Sequence, residues 1–215
     1  MKFHLSEIKK NYVQELFGVG LAMSYGLGLI FFLKFTQTEE VLNYLVLVLR
    51  YSSVLAPVFG AGFGYTLIKV LANDNFSKSQ KDSLISLSFC VVFFVGLTSI
   101  CGFYLSRELG VKLKYFESGA YHIIMLSMFY SFGLAMMVVV ESVSKARKKY
   151  FLYYKYQFFF VIAPTFFAAT VFDHHHILVY CFSSFPFLAA ILYSTNHVKI
   201  RLPELNHRMI WISLS

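Results

Sequence analysis

Charge is what this chain has least of. Lys, Arg, Asp and Glu together make up 14% of its 215 residues, against roughly 25% in an ordinary soluble domain. Hydrophobic residues reach 58%, with 25 Phe and 15 Tyr, and mean hydropathy is +0.63. A soluble fold of this size has too little polar surface to hide so much apolar area. Soluble enzymes, secreted disulfide scaffolds and disordered tails therefore do not fit. Cysteine is also scarce: Cys90, Cys101 and Cys181 are odd in number, sit in apolar runs and form no CxxC spacing. They read as small hydrophobes. The chain has no Walker loop, Rossmann glycine signature, GxSxG elbow, HExxH pair or potassium-filter sequence. No two acids show an obvious glycosidase spacing. The expectation is a protein that is not an enzyme and has neither cofactor nor metal.

What the chain does have is long apolar stretches. A membrane span needs about 20 mostly apolar residues. Six segments qualify: Val13–Leu33, Val41 to about Ala72, Leu84–Leu105, Tyr121–Val143, Tyr153–Phe172 and Ile177 to about Thr195. The second is too long for one span and contains Arg50 and Pro57. It reads either as a long projecting helix or as a surface helix followed by a span from Ser52. The first stretch is too long for a signal-peptide core, and no cleavage site follows it. The fold expected is all-α: a polytopic six-helix bundle over 13–195, between segments 1–12 and 196–215.

The net charge is +8. In a soluble chain that would point to nucleic acid; between apolar segments it points to topology. One side collects Lys2, Lys9, Lys10, Lys69, Lys78, Lys81, Lys145, Arg147, Lys148, Lys149, Lys155, Lys199, Arg201 and Arg208. The other holds Lys34, Arg107, Lys112 and Lys114, with Arg50 left inside a span. Both termini are expected in the cytoplasm. The stretches 34–40, 106–117 and 173–176 are expected outside, and nucleic acid is not an expected partner.

Small residues mark helix contacts. Gly18, Ala22 and Gly26 repeat every four residues, as do Gly20, Ser24 and Gly28, and Ala56, Gly60 and Gly64. Such faces let backbones approach closely in lipid. Spans one and two are the expected pair, although another helix fits the pattern as well. Pro57, Pro164 and Pro186 fall inside spans and predict bends. Tyr150, Tyr153, Tyr154 and Tyr156 beside the basic loop read as an interfacial belt.

Few polar groups lie at membrane depth. Arg50 has no acid near it in sequence, and it reads either as a cavity arginine or as a boundary residue. In a cavity its planar fork suits phosphate. Glu15 and Glu141 lie near one end of their spans. They read as snorkelling residues or as gating contacts with Lys69 or the basic loop. His174, His175 and His176 read as a solvated turn, since three adjacent histidines do not converge on one metal.

The stretches LRYSSVLAPVFGAGFGYTLIKVLAND at 49–74, NFSKSQKD at 75–82 and SKARKKY at 144–150 follow a short basic start and a Gly-rich first span. With them the chain resembles, over about residues 10–200, the N-terminal part of oligosaccharide or O-antigen flippases. That family belongs to the multidrug/oligosaccharidyl-lipid/polysaccharide exporter superfamily. The resemblance implies one lobe of a two-lobed, alternating-access transporter in the bacterial inner membrane. It implies lipid-linked oligosaccharide as substrate, a cationic cavity in which Arg50 binds it, and membrane lipids as surroundings. Six spans match one lobe, so the expected partner is a missing C-terminal lobe or a second copy. The chain is then expected to be truncated, half of a split gene, or a self-associating half-transporter. The competing readings are a non-transporting assembly or accessory subunit, and a small membrane enzyme using His122 or the outer histidines.

Overall fold

The computed structural model describes residues 2–60, 63–73, 75–109, 118–171 and 175–198. Among the described residues the chain is helical throughout, without a strand. Helix α1 runs Lys2–Thr36, α2 Glu39–Gly60, α3 Phe63–Ala72, α4 Lys78–Glu108 and α5 Ser118–Ala146. Helix α6 (Tyr150–Gln157) passes through a π-helical turn (Phe158–Ile162) into α7 (Ala163–Val171), and α8 is His175–His197. Three helical stretches are long and apolar enough to cross a membrane: Glu39–Gly60, Lys78–Glu108 and Tyr121–Ala146. They mark the chain as a membrane protein.

Helix suits these sequences because hydrocarbon offers the backbone no partners. Several side-chain hydroxyls are satisfied within their own helix. Ser86, Ser88, Ser127, Ser142 and Ser184 each donate to the carbonyl four residues back. A serine can thus enter an apolar span without leaving its own donor unpaired. Helix α4 starts on a capping box: Ser77 Oγ accepts from Gln80 N at 3.2 Å, and Ser77 N donates to Gln80 Oε1 at 2.9 Å.

Helix α5 is the centre of the bundle, with α2, α3, α4 and α8 packed around it. Helix α2 meets it along Val41, Leu45, Val48, Ser52 and Phe59, all buried. Ser52 Oγ donates to Val48 O at 2.6 Å and lies 3.1 Å from Ser127 O. Ser131 Oγ reaches Ser127 O and, at 3.4 Å, Ser52 O. Lipid gives helices little hydrophobic reason to associate, so hydroxyl bridges and close packing hold the pair.

The second apolar segment is helical over Glu39–Gly60 and Phe63–Ala72, and residues 61–62 between them lie outside the described residues. Pro57 has no N–H to give the Ser53 carbonyl, so one bond of the α2 ladder is missing there. Glu39–Gly60 is long and apolar enough to cross a membrane, and Arg50 lies near the middle of that stretch. Pro164 follows the π-helical turn, where Ala163 N donates to Phe158 O. The wider turn accommodates a proline ring that an α-helix would press against the preceding turn. Pro186 is buried inside a continuous α8.

Helices α1 and α2 meet, with Leu29 and Leu33 in one cluster with Val41 and Leu45, while Gly18 and Gly64 face other helices. Gly64 packs on α5, where an added Cβ would lie 3.0 Å from Val138 Cγ1. Gly18 packs under Tyr154 of α6, where a Cβ would lie 1.7 Å from Cζ. Gly20 and Gly60 face open space. Ala22 and Gly26 lie in α1, with their side chains outside the described set. The tyrosines beside the basic loop pack on the bundle, Tyr150 and Tyr156 only in part. Tyr153 and Tyr154 are buried in the core, and a glycine one helix away makes the room that Tyr154 fills.

Candidate functional site

The face of α2 turned away from α5 carries the feature least suited to lipid. At 3.6 residues per turn, Arg50 falls opposite the seam of Val41, Leu45, Val48 and Ser52. Asn43, Leu47, Arg50, Val54 and Pro57 are all exposed there. Arg50 pairs with no acid among the described residues; its own carbonyl accepts from Ser53 Oγ at 2.7 Å. The Ser53 carbonyl, left without a backbone donor by Pro57, adds another polar group to this helix. A guanidinium halfway along a crossing helix costs several kcal/mol against hydrocarbon. Water or an anion removes that cost.

The second cluster joins α1 to the end of α5. Lys145 Nζ lies 2.8 Å from Glu141 Oε1 and 3.5 Å from Glu15 Oε1. The two carboxylates singled out in the sequence therefore converge on one lysine of the basic loop. Lys69 joins neither of them and sits exposed on α3. The loop-facing half of this end is drawn together by Arg147. Its Nη2 lies 3.4 Å from Asp82 Oδ1, and its Nη1 donates to His197 O at 3.1 Å. Asp82 is 8% exposed, so Arg147 supplies the charge that such a carboxylate needs.

At the other end, His122 ties three helices. Its Nδ1 is 2.6 Å from the Tyr44 hydroxyl, and its Nε2 is 2.6 Å from the Tyr180 hydroxyl. A neutral imidazole accepts from one and donates to the other. With both nitrogens engaged, the ring serves as a strap between α2, α5 and α8. Among the described residues no three His, Cys, Asp or Glu side chains group as metal ligands. His174 and the stretches 110–117 and 199–215 lie outside the described residues.

No protein-family model, curated protein or solved structure matches this chain.

Sequence reasoning singled out Arg50, Glu15 and Glu141 but not Asp82, Arg147 or Gly133. Asp82 has a weak signal: it is an acid among lysines at the start of an apolar helix. Gly133 has none, because one glycine within a span shows no spacing.

His197 offers a test of the Arg147 cluster. Burial, and then the nearby Lys149 and Arg147 cations, hold its imidazole below the ordinary 6.5. The fold thus favours the neutral ring, whose Nε2 lies 3.2 Å from the Tyr156 hydroxyl. The stability this adds is present above pH 6.5 and is lost as pH falls through the depressed folded value. An NMR titration of the ring should show a midpoint below 6.5. Lys149→Gln should move it upward; an unmoved midpoint would exclude Lys149 as a cause.

Proposed function

We propose that this chain is one lobe of a lipid-linked oligosaccharide flippase. In this reading six spans cross the bacterial inner membrane with both termini in the cytoplasm. The described residues of the six apolar segments are helical, and the basic residues sort by side when six crossings are counted. The observation that carries the reading is Arg50, exposed at the middle of α2 on the side away from the bundle. The unpaired guanidinium fits the phosphate of a lipid-linked head group through paired, directional hydrogen bonds. The uncovered α2 face then borders a hydrated cavity closed by a second lobe or a second copy. The lipid tail stays in the bilayer while the polar head crosses, and no covalent bond changes. Glu15, Glu141 and Lys145 act as a clasp holding α1 to α5 in one of the two access states.

Arg50→Lys keeps the charge and loses the planar fork; Arg50→Gln loses the charge. Both variants should express and insert. Transport of the lipid-linked oligosaccharide, measured with the complementary lobe or in the self-assembled form, should fall with Lys and fall further with Gln. A loss of ~1.5–3 kcal/mol for one charged hydrogen-bonded contact corresponds to roughly a 10- to 150-fold drop. Wild-type transport by both variants would remove Arg50 from the substrate path.

A further inference from the structure

The turn joining α5 to α6 has a residue where the backbone prefers none with a side chain. Lys149 N donates to Ser144 O at 2.8 Å, and Lys148 N to Lys145 O at 3.0 Å. This pair of bonds is a Schellman closure, whose pivot residue must be left-handed. The pivot is Lys148, at φ 56°. Glycine usually holds this position in such closures because a Cβ is strained there. A strained residue kept in place directs attention to its side chain.

The charges around the turn are unbalanced. The three described acids bonded at this end, Glu15, Glu141 and Asp82, are taken up by Lys145 and Arg147. Lys148, Lys149 and Lys155 are exposed and pair with no acid among the described residues. The Asp82–Arg147 link also brings up the first turn of α4, which carries Lys78 and Lys81. The turn begins directly after Ala146, where the apolar stretch Tyr121–Ala146 ends. In a bilayer that is head-group level.

We propose that the α5–α6 turn docks anionic phospholipid, with Lys148 and Lys149 receiving the phosphodiester of a head group such as phosphatidylglycerol. The Schellman bonds fix the backbone of both lysines, so less freedom is lost on binding than from a loose loop. The Asp82–Arg147–His197 contacts beneath connect the docked lipid to α4 and α8. The proposal does not depend on whether the chain moves a lipid-linked sugar.

The test uses the full chain in nanodiscs of phosphatidylcholine with increasing phosphatidylglycerol, read by thermal unfolding. Wild type should gain Tm with phosphatidylglycerol and saturate. A basic residue at a membrane surface contributes about 1 kcal/mol, or about fivefold in affinity. Lys149→Gln should therefore raise the half-saturating phosphatidylglycerol content about fivefold. Lys148→Gly should do the same while raising Tm in pure phosphatidylcholine, because glycine relieves the left-handed strain. A stability loss from the same residue's side chain would move the two readings together instead. Lys148→Arg should keep the wild-type response. Unchanged half-saturation in Lys148→Gly and Lys149→Gln would overturn the proposal and leave these lysines as orientation signals. An equal Tm gain from inorganic pyrophosphate in pure phosphatidylcholine would overturn the lipid assignment.

Discussion

Gly133→Ala should lower the thermal stability of the detergent-solubilised chain more than any other glycine-to-alanine change among the described residues. Gly133 lies where α5 crosses α8. A Cβ built there would stand 2.8 Å from the Phe187 backbone nitrogen, 3.1 Å from Pro186 Cβ and 3.3 Å from the Pro186 carbonyl carbon. Most of what it meets is backbone or proline ring, and neither can rotate away. Gly18 and Gly96 also have close neighbours, but those are the rings of Tyr154 and Phe132. A ring can swing at some cost; a helix backbone has to translate. Overpacking of this kind costs about 1–3 kcal/mol. Gly102→Ala is the control, because nothing lies within 4 Å of its Cβ position. If Gly133→Ala and Gly102→Ala melt alike, the α5–α8 crossing is not the close backbone contact described above.

Arg147→Gln should produce the second large effect. Arg147 reaches α4 through the Asp82 carboxylate and α8 through the His197 carbonyl. Removing its charge leaves Asp82 buried without a cation. Breaking one side of a fully buried pair costs about 3–5 kcal/mol. The Arg147 side chain is 33% exposed and its contact is long, so a loss of about 1–2 kcal/mol is expected here. The double variant Asp82→Asn/Arg147→Gln should recover part of that loss, because no unpaired charge remains. Additive losses in the double variant would show that the two side chains act independently. Hydrogen exchange should localise the effect to the start of α4 and the end of α8.

Both predictions rest on contacts that pattern reading does not reach. The periodicity arguments chose Gly18, Ala22 and Gly26 because repetition is visible in one dimension. A single glycine at a helix crossing has no repeat to announce it. Serines have the same problem. Ser52 and Ser131 look like ordinary polar interruptions, yet their hydroxyls join α2 to α5 through the carbonyls of Ser127 and Ser52. The tyrosines show another limit. A run of Tyr beside lysines resembles a head-group belt, but Tyr153 and Tyr154 turn inward. Aromatic rings suit either place, and only the shape of the neighbouring helices decides between them.

The sequence by itself determined the helical class, the membrane setting and the positions of the apolar segments. These follow from local composition: a run of apolar residues has one stable backbone form in hydrocarbon, whatever packs beside it. It also identified Arg50 as anomalous, since a charge in an apolar run is costly in any arrangement. Tertiary structure decided which way Arg50 faces, which lysine Glu15 and Glu141 share, and that α5 is the hub. It also closed the basic loop on a left-handed Lys148. Each of these depends on atoms far apart in the chain or on one backbone dihedral. Composition constrains neither, because it fixes what a segment can bury but not which neighbour buries it.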